Sequence, residues 1–427
     1  MNKNKDRIII GMALFSMFFG AGNVIFPPYL GMETASMWLP AFICYFIADI
    51  GLAVLAVAAM LSSETSLEGI ALRIGKIPSI ILISTVVLCI GPLVAIPRTA
   101  ATTYEMSGAV LFPDIPQWLF SAIFFSLIFL LCMKESSVVD IVGKFLTPVL
   151  FLGLLTVIIC GVINPVGEIA AEPKIANVVT TAIASGYQTM DVLGAMIFGS
   201  IIFKTAEDRG YLSWSKKRQV VGAASLIAAA ALFLVYGGLA YLGATVSSVY
   251  NGRISRADLV MAIVDHLMGK TGEVIFSVVI MLACVTTAIA LVSASADYFS
   301  GLLKGRISYK VLAAIICFFS GIVSCIGLEG IIAVASPILS IVYAPALTLI
   351  MMGLFSKRIK QDAVFKGAAV MAFVMSLLEY LSGFLPSLTW VKGLPFSNFG
   401  LGWVTPAIAG ALIGCIFGKM KSDQNKG

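Results

Sequence analysis

Apolar stretches long enough to cross a membrane recur along the whole of this 427-residue chain. The hydrocarbon core of a bilayer needs about 20 helical residues per crossing. On that measure the sequence predicts twelve spans, near residues 8–30, 38–61, 78–110, 117–133, 138–163, 185–205, 219–245, 272–303, 309–326, 329–355, 363–385 and 400–418. Hydrophobic residues make up 59% of the chain and charged residues 12%, which leaves too little polar surface for a soluble globule. We therefore expect an all-α polytopic membrane protein.

The distribution of basic residues predicts which side of the membrane each loop faces. If the N-terminus is cytoplasmic, most of the 28 lysines and arginines fall in cytoplasmic segments, among them Arg7, Lys76 and Lys217. The outer loops then hold only a few, such as Lys174 and Lys270. This asymmetry follows the positive-inside rule and predicts that both termini are cytoplasmic. It also accounts for the net charge of +6 without a nucleic-acid partner.

The first span carries the sequence Gly20-Ala21-Gly22-Asn23 at a depth where a continuous helix is expected. Backbone groups that lose their partners in hydrocarbon are tolerated only where they face a cavity or a ligand. The two glycines also allow positive φ angles and close approach of the backbone to a ligand. We therefore expect the first helix to be discontinuous and to form part of a binding site.

The sixth span shows a second possible interruption, where Asp191 lies in a polar stretch that ends at Gly194. Spans one and six would begin two consecutive five-span units. Interruptions at corresponding positions of two halves indicate a transporter site between inverted repeats. A single aspartate beside a glycine is equally typical of a packed, hydrogen-bonded side chain, so both interpretations stay open.

Among the ionisable residues inside predicted spans, we single out six as candidates: Asp49, Arg98, Glu105, Asp191, Asp297 and Glu379. Each costs about 2.5–3.5 kcal/mol at the centre of a bilayer and is a functional hypothesis by default. Asp297 lies near the cytoplasmic end of its span, which favours a structural role. Asp49 and Glu379 have no glycine break nearby, which favours helix packing over a role in ion transfer.

Span three places Arg98, Thr102 and Glu105 on one helix face, since they are spaced at i, i+4 and i+7. One interpretation is an ion-pair network between helices. The other is a gate, or a pole that binds one end of a zwitterionic substrate.

Span eight contains two adjacent hydroxyl residues, Thr286 and Thr287, in an otherwise apolar helix. Such hydroxyls often bond to the carbonyl one turn earlier and have no further role. Alternatively, they provide the oxygen ligands that hard cations prefer.

Two motifs together carry a family resemblance: FSMFFGAGNVIFPP at residues 15–28 and GPLVAIPRTA at residues 91–100. The chain resembles, over its full length, the bacterial branched-chain amino acid:cation symporters of the BrnQ type. That family is assigned to the amino acid–polyamine–organocation superfamily, whose LeuT-like fold has a 5+5 inverted repeat with discontinuous helices 1 and 6. The resemblance implies a single transmembrane domain over 1–427, with repeats at 8–163 and 185–355 and two additional helices at 363–418.

The resemblance also implies a function and a set of site residues. It implies Na⁺-coupled uptake of leucine, isoleucine and valine across the bacterial cell membrane, with H⁺ coupling in some members. The implied Na⁺ ligands are Ser16, Phe19, Ala283, Thr286 and Thr287. The implied substrate-binding residues are Phe19, Gly20, Ala21, Gly22, Asn23, Arg98 and Asp191. Na⁺ is the expected coupling ion, and the expected partners are the amino acid and the lipid bilayer, with no obligatory protein partner evident.

Other classes of membrane protein fit the sequence less well. A two-bundle facilitator should carry an Asp-Arg-Gly loop between spans two and three, which residues 62–73 lack. A channel should line a pore with polar rings. An intramembrane enzyme needs a nucleophile or metal motif such as His-Glu-x-x-His or Gly-x-Ser-x-Gly, and the sequence contains neither, so we do not expect an enzyme. The closest rival is a symporter of the same fold for another small neutral amino acid, or one coupled to H⁺.

Overall fold

The computed structural model describes residues 3–133, 137–250 and 254–424, and every regular element in these ranges is helical. The α-helices are α1 (Lys3–Phe18), α2 (Ala21–Thr34), α3 (Trp38–Phe46), α4 (Leu52–Ser63), α5 (Leu67–Ala71), α6 (Lys76–Leu88), α7 (Ala95–Thr103), α8 (Ala109–Leu111), α9 (Gln117–Met133), α10 (Ser137–Ile163), α11 (Val178–Thr189), α12 (Asp191–Asp208), α13 (Trp214–Thr245), α14 (Arg256–Leu302), α15 (Tyr309–Ser324), α16 (Leu328–Leu354), α17 (Asp362–Leu381) and α18 (Val404–Gln424). Short π-helical turns at Ile47–Gly51, Cys89–Leu93 and Tyr104–Gly108 join several of them.

Among the described residues, six helical segments are long and apolar enough to cross a membrane. They are Ala21–Ser63, Lys76–Leu111, Trp214–Thr245, Arg256–Leu302, Leu328–Leu354 and Asp362–Leu381. The bent pair Val178–Gly199 and Ile201–Asp208 makes a seventh if it is one span, and four shorter apolar helices accompany them. The prediction of an all-α polytopic membrane protein is therefore confirmed, whereas the count of twelve spans stays a prediction.

The first span is broken between α1 and α2, where Phe19 and Gly20 are not helical. Gly20 is extended, with φ −114° and ψ −177°, and Gly22 is already inside α2. Neither glycine has a positive φ angle, so the expectation that they provide one is wrong. Pro27 and Pro28 lie within α2 rather than at the break.

The sixth span is broken at one residue, Met190, which separates α11 from α12. Met190 has φ 66° and ψ 16°, a left-handed conformation that is uncommon for residues other than glycine, asparagine and aspartate. The break lies within the polar stretch around Asp191 that the sequence indicated, one residue before Asp191. Asp191 and Gly194 themselves are both in α12.

Helices α2 and α13 approach each other closely through small residues. A Cβ atom on Gly31 would lie 1.9 Å from the Ala240 carbonyl oxygen, and one on Gly243 would lie 1.8 Å from the Pro28 carbonyl oxygen. Glycines at a helix interface allow this kind of backbone contact in membrane proteins. The contact fixes α2, and with it the first break, against the long helix α13.

Candidate substrate and cation site

Asn23 and Asp191 connect the two broken helices. The Asn23 side-chain amide donates a hydrogen bond to Asp191 Oδ2 at 2.8 Å and a second one to the Phe18 carbonyl at the end of α1. Both side chains are almost fully buried. Asn23 therefore satisfies a carbonyl near the first break and also contacts the first residue after the second break.

Arg98, from α7, contacts both breaks. Its guanidinium donates to the carbonyls of Gln188 and Thr189, the latter at 3.3 Å, at the C-terminal end of α11. Carbonyls at a helix end lack partners within the helix and favour a positive charge. A Cβ atom on Gly22 would lie 2.9 Å from Arg98 Nη2, so the same guanidinium also packs against α2.

Asp49 belongs to the same cluster of buried polar side chains as Asn23, Arg98 and Asp191. It lies in the π-helical turn Ile47–Gly51, is fully buried, and accepts a hydrogen bond from the Thr189 hydroxyl at 2.7 Å. Its carboxyl group lies beside that of Asp191. The sequence favoured a packing role for Asp49, whereas the structure places it at the second break; π-helical turns are frequent at functional sites.

Several buried polar atoms of this region have no hydrogen-bond partner among the described residues. They are Asn23 Oδ1, Tyr45 OH, Asp49 Oδ2, Arg98 Nε, Thr102 Oγ1, Gln188 Oε1, Tyr236 OH and Tyr343 OH. Leaving a buried polar group unpaired costs about 1–3 kcal/mol. Such a concentration is typical of a site that binds water, an ion or a ligand.

A small cavity of about 50 Å³ lies where the two breaks meet. It is lined by Met17, Gly20, Ala21, Ile90, Ala95, Arg98, Thr99, Thr189, Met190, Asp191, Gly194, Phe198, Thr287 and Leu291. Pockets that hold small molecules usually measure about 300–1,000 Å³, so this cavity has room for only a few water molecules. The cavity in this structure is therefore too small for a larger ligand.

The structure places only one of the five predicted Na⁺ ligands in the wall of this cavity. The hydroxyls of Thr286 and Thr287 both donate to the Ala283 carbonyl, at 2.8 and 3.0 Å. Only Thr287 of the predicted set lines the cavity, and Ser16 and Phe19 lie outside its wall. A hydroxyl that donates one hydrogen bond still has lone pairs for a cation, so these bonds are compatible with an ion site.

Glu105 does not pair with Arg98, although they share a helix face. Instead, Glu105 Oε1 accepts a hydrogen bond at 3.0 Å from the Leu328 backbone N–H at the start of α16. A carboxylate is favourable at a helix N-terminus. Both charged residues of this helix face therefore contact other helices. Among the described residues, Arg98 and Glu105 do not form an ion pair with each other.

Arg256 and Glu329 connect the start of α14 to the start of α16. Their side chains form an ion pair, and Glu329 also accepts a hydrogen bond at 3.1 Å from the Arg256 backbone N–H. The guanidinium of Arg256 lies 4.3 Å from the centre of the Tyr29 ring. The Phe26 ring lies between two arginines, with Arg98 at 5.8 Å and Arg256 at 5.7 Å from its centre.

Further ion pairs lie at the predicted cytoplasmic side. Asp6, in α1, pairs with Arg209 and accepts a hydrogen bond from the Tyr211 hydroxyl, both at 2.8 Å. At the same predicted cytoplasmic side, Glu64 pairs with Lys357 at 2.6 Å, and this hydrogen bond lowers the pKa of Glu64. The Asp6 contacts connect α1 to the segment that follows α12, and the Glu64 contact connects the end of α4 to the segment that follows α16.

Sequence reasoning missed part of this cluster. Thr189 and Gln188 adjoin Asp191 but carry no signal of their own, and Tyr45, Tyr236 and Tyr343 look like ordinary core residues. The one available signal for Asp49 was an ionisable side chain in the middle of a span.

Helical membrane proteins with two interrupted helices around a buried charged cluster are typical of secondary transporters. The fold agrees with this class. The chain is similar to the inward-facing conformation of Mhp1, with a TM-score of 0.65 at 14% identity over 98% of this chain and 91% of that one. It is similarly close to Mhp1, a nucleobase-cation-symport-1 family transporter, in a closed conformation with bromovinylhydantoin bound (TM-score 0.64, 15% identity, 96% and 91% covered). The chain is also similar to a manganese transporter of Eremococcus coleocola, with a TM-score of 0.58 at 14% identity over 95% of this chain and 93% of that one.

The family model described as "Branched-chain amino acid transport protein" matches residues 3–421, and the chain belongs to this family. It is 34% identical to the branched-chain amino acid permease BraB of Bacillus subtilis over 424 residues, which cover 96% of this chain and 95% of that one. It is 30% identical to the permease BrnQ of Escherichia coli over 435 residues, with 99% and 98% covered. The resemblance seen in the sequence is confirmed, and the family is one of transporters rather than enzymes.

Proposed function

We propose that this protein is a Na⁺-coupled symporter that imports leucine, isoleucine and valine by alternating access. The observation that supports this most directly is the meeting of the two helix breaks at Asn23, Asp191 and Arg98. The names of the BraB and BrnQ relatives support the class of substrate.

We propose the architecture that this function needs: twelve spans, with both termini in the cytoplasm of a bacterial cell. Repeats at 8–163 and 185–355 would form the 5+5 core, and 363–418 would add two helices. The breaks at residues 19–20 and 190 lie near the start of each repeat, and the fold of Mhp1 covers nearly the whole chain. The distribution of lysine and arginine supports the orientation.

In this proposal the amino acid binds between the two breaks. The N-terminus of α2 presents backbone N–H groups near Ala21 and Gly22, which favour a carboxylate. Asp191, at the other side of the same cavity, would accept the ammonium group. The aliphatic side chain would face apolar residues of the cavity wall such as Ile90 and Leu291. Since one methylene changes binding by only about 1–3 kcal/mol, three branched substrates can share such a pocket.

The coupling Na⁺ would bind between the first break and α14. Thr287 and Gly20 both line the cavity, and Thr286 and the Ala283 carbonyl lie within one turn of Thr287. The hydroxyl lone pairs and the carbonyls of Ser16 and Phe19 would complete an oxygen ligand set. Na⁺ would thereby hold α1 against α14 while the amino acid is bound.

Transport would proceed by opening one end of the molecule at a time. Opening to the outside separates Arg256 from Glu329, and opening to the cytoplasm separates Asp6 from Arg209. Alternating opening of this kind around a fixed site is the usual mechanism of such folds. In this proposal the present structure, with both ion pairs formed, would lie between the two open forms.

Counterflow of labelled leucine into proteoliposomes tests the proposal. We expect uptake that depends on Na⁺, is not supported by K⁺, and is competed by isoleucine and valine but not by alanine. Uptake that follows a pH gradient without Na⁺ would replace Na⁺ by H⁺ as coupling ion. Stronger competition by alanine would identify a symporter for another small neutral amino acid.

A further inference from the structure

We infer that Asp49 and Asp191 share one proton, so that the pair carries a single negative charge that Arg98 balances. The inference rests on the proposed function only in treating this cluster as the transport site. It adds a proton-binding site to a region for which Na⁺ and the amino acid are the proposed ligands.

The first argument for a shared proton is the geometry of the two carboxyl groups. They come from different helices, both are more than nine-tenths buried, and they lie within hydrogen-bonding reach of each other. Two ionised carboxylates at such a separation repel strongly, whereas one proton between them turns the repulsion into a hydrogen bond. Carboxyl pairs in water-excluded sites therefore retain a proton.

The hydrogen bonds around the pair leave Asp49 Oδ2 available for that proton. Thr189 donates to Asp49 Oδ1, and Asn23 donates to Asp191 Oδ2. Asp49 Oδ2 is buried and accepts no hydrogen bond of standard geometry, and the side chains that interact with Asp49 include Tyr45 and Asp191. A proton on this oxygen gives it a donor function toward Asp191, which removes one of the unpaired polar atoms of the cluster.

The second argument for a shared proton is the charge balance of the cluster. The ionisable groups that interact with the pair among the described residues are Arg98 and the hydroxyls of Tyr45, Tyr236 and Tyr343. Only Arg98 in this set is positively charged. Two ionised aspartates would leave one uncompensated negative charge at membrane depth, which is costly. A zwitterionic amino acid has no net charge and could not compensate it, so one proton keeps the site neutral whether the amino acid is bound or absent.

Infrared difference spectroscopy on the purified full-length protein tests this directly. Spectra are recorded at pH 7 in Na⁺-free buffer for the wild type, Asp49→Asn and Asp191→Asn. We expect each variant to lose the C=O band of one protonated carboxyl group, because the remaining aspartate is then ionised beside Arg98. The band should shift in D2O, as an exchangeable carboxylic acid requires.

Glu168→Gln is a matched control, because it removes an exposed carboxylate far from the cluster. It should lose a carboxylate band and keep the protonated one. If Asp49→Asn and Asp191→Asn behave like this control, both aspartates are ionised and the inference is wrong.

Wild-type protein alone keeps the inference testable if either variant fails to fold. A wild-type spectrum at pH 7 without any protonated carboxyl band would exclude a shared proton. None of these measurements depends on which amino acid is transported or on Na⁺-driven uptake. Failure of the proposed transport function is therefore distinguishable from failure of this inference.

Discussion

The two helix breaks differ in what holds them open. At the first break the backbone is extended at Gly20, and the freed Phe18 carbonyl is satisfied by Asn23, five residues away. At the second break Met190 is left-handed, and the freed carbonyls of Gln188 and Thr189 are held by Arg98 from a distant helix. The first break is thus stabilised locally, and the second one depends on long-range charged contacts.

This difference predicts unequal sensitivity to substitution. Charged side chains that are buried and paired cost several kcal/mol when one partner is removed. A backbone break stabilised by small residues and one amide has no comparable charge to expose. We therefore expect the largest effects at the second break and smaller ones at the first.

The largest effect should come from Arg98→Met, which keeps much of the side-chain volume but removes the charge. The Gln188 and Thr189 carbonyls lose their donor, and the two aspartates lose their counter-charge. We expect the free energy of unfolding to fall by about 3–5 kcal/mol and leucine binding to be lost. A chemical-unfolding titration in detergent and equilibrium leucine binding measure the two effects.

Arg256→Met is the matched control for Arg98→Met. Arg256 also stacks near Phe26, but its partner Glu329 has 45% of its side chain exposed. Exposed ion pairs contribute about 0–1 kcal/mol, so the stability loss should be small. If the two variants unfold at the same denaturant concentration and Arg98→Met still binds leucine, the charged contacts do not hold the second break.

Thr189→Val should have the next largest effect, again at the second break. The substitution keeps the shape of the side chain but removes the hydroxyl that donates to Asp49. Leaving that buried carboxylate oxygen unpaired costs about 1–3 kcal/mol, and we expect a stability loss in this range. Thr156→Val provides the comparison, because that exposed hydroxyl donates only to the Leu152 carbonyl within its own helix. Equal melting temperatures for Thr189→Val and Thr156→Val would contradict a stabilising role for the hydrogen bond from Thr189 to Asp49.

The sequence predicted the first break much better than the second, because the first is stabilised by residues that are neighbours in the chain and the second by long-range contacts. Gly20, Gly22 and Asn23 are neighbours in the chain, so their combined effect on the helix can be read locally. Met190 has no feature that distinguishes it from a helical residue, so the sequence indicated the polar stretch around Asp191 but not the residue at which the helix breaks. Asp49 and Thr189 are 140 residues apart. No local pattern shows that they meet, and the π-helical turn that directs Asp49 inward has no sequence signal. The side-chain contacts of the cluster therefore became visible only in the structure.

The proposed Na⁺ site gives the third prediction, because it belongs to the first break rather than the second. In the double variant Thr286→Val with Thr287→Ala, we expect the Na⁺ concentration for half-maximal leucine uptake to rise by more than about tenfold, or about 1.4 kcal/mol. Expression and melting temperature should change little, because both hydroxyls bond only to the Ala283 carbonyl. Na⁺ titrations in proteoliposomes make the measurement, and an unchanged Na⁺ dependence would remove these hydroxyls from the mechanism.

The smallest effect on stability is expected for Gly20→Ala, compared with Gly22→Ala. Gly20 has an extended backbone that any residue can adopt, and a Cβ atom there meets nothing within 4 Å. We expect its free energy of unfolding to change by no more than about 0.5 kcal/mol. A Cβ atom on Gly22 would lie 2.9 Å from Arg98 Nη2 and must displace the guanidinium. Gly22→Ala should therefore weaken leucine binding more than Gly20→Ala does, because it disturbs the residue that holds the second break. Equal losses of leucine affinity in the two variants would show that the breaks are not coupled through Arg98, and that the first break affects binding through its own backbone alone.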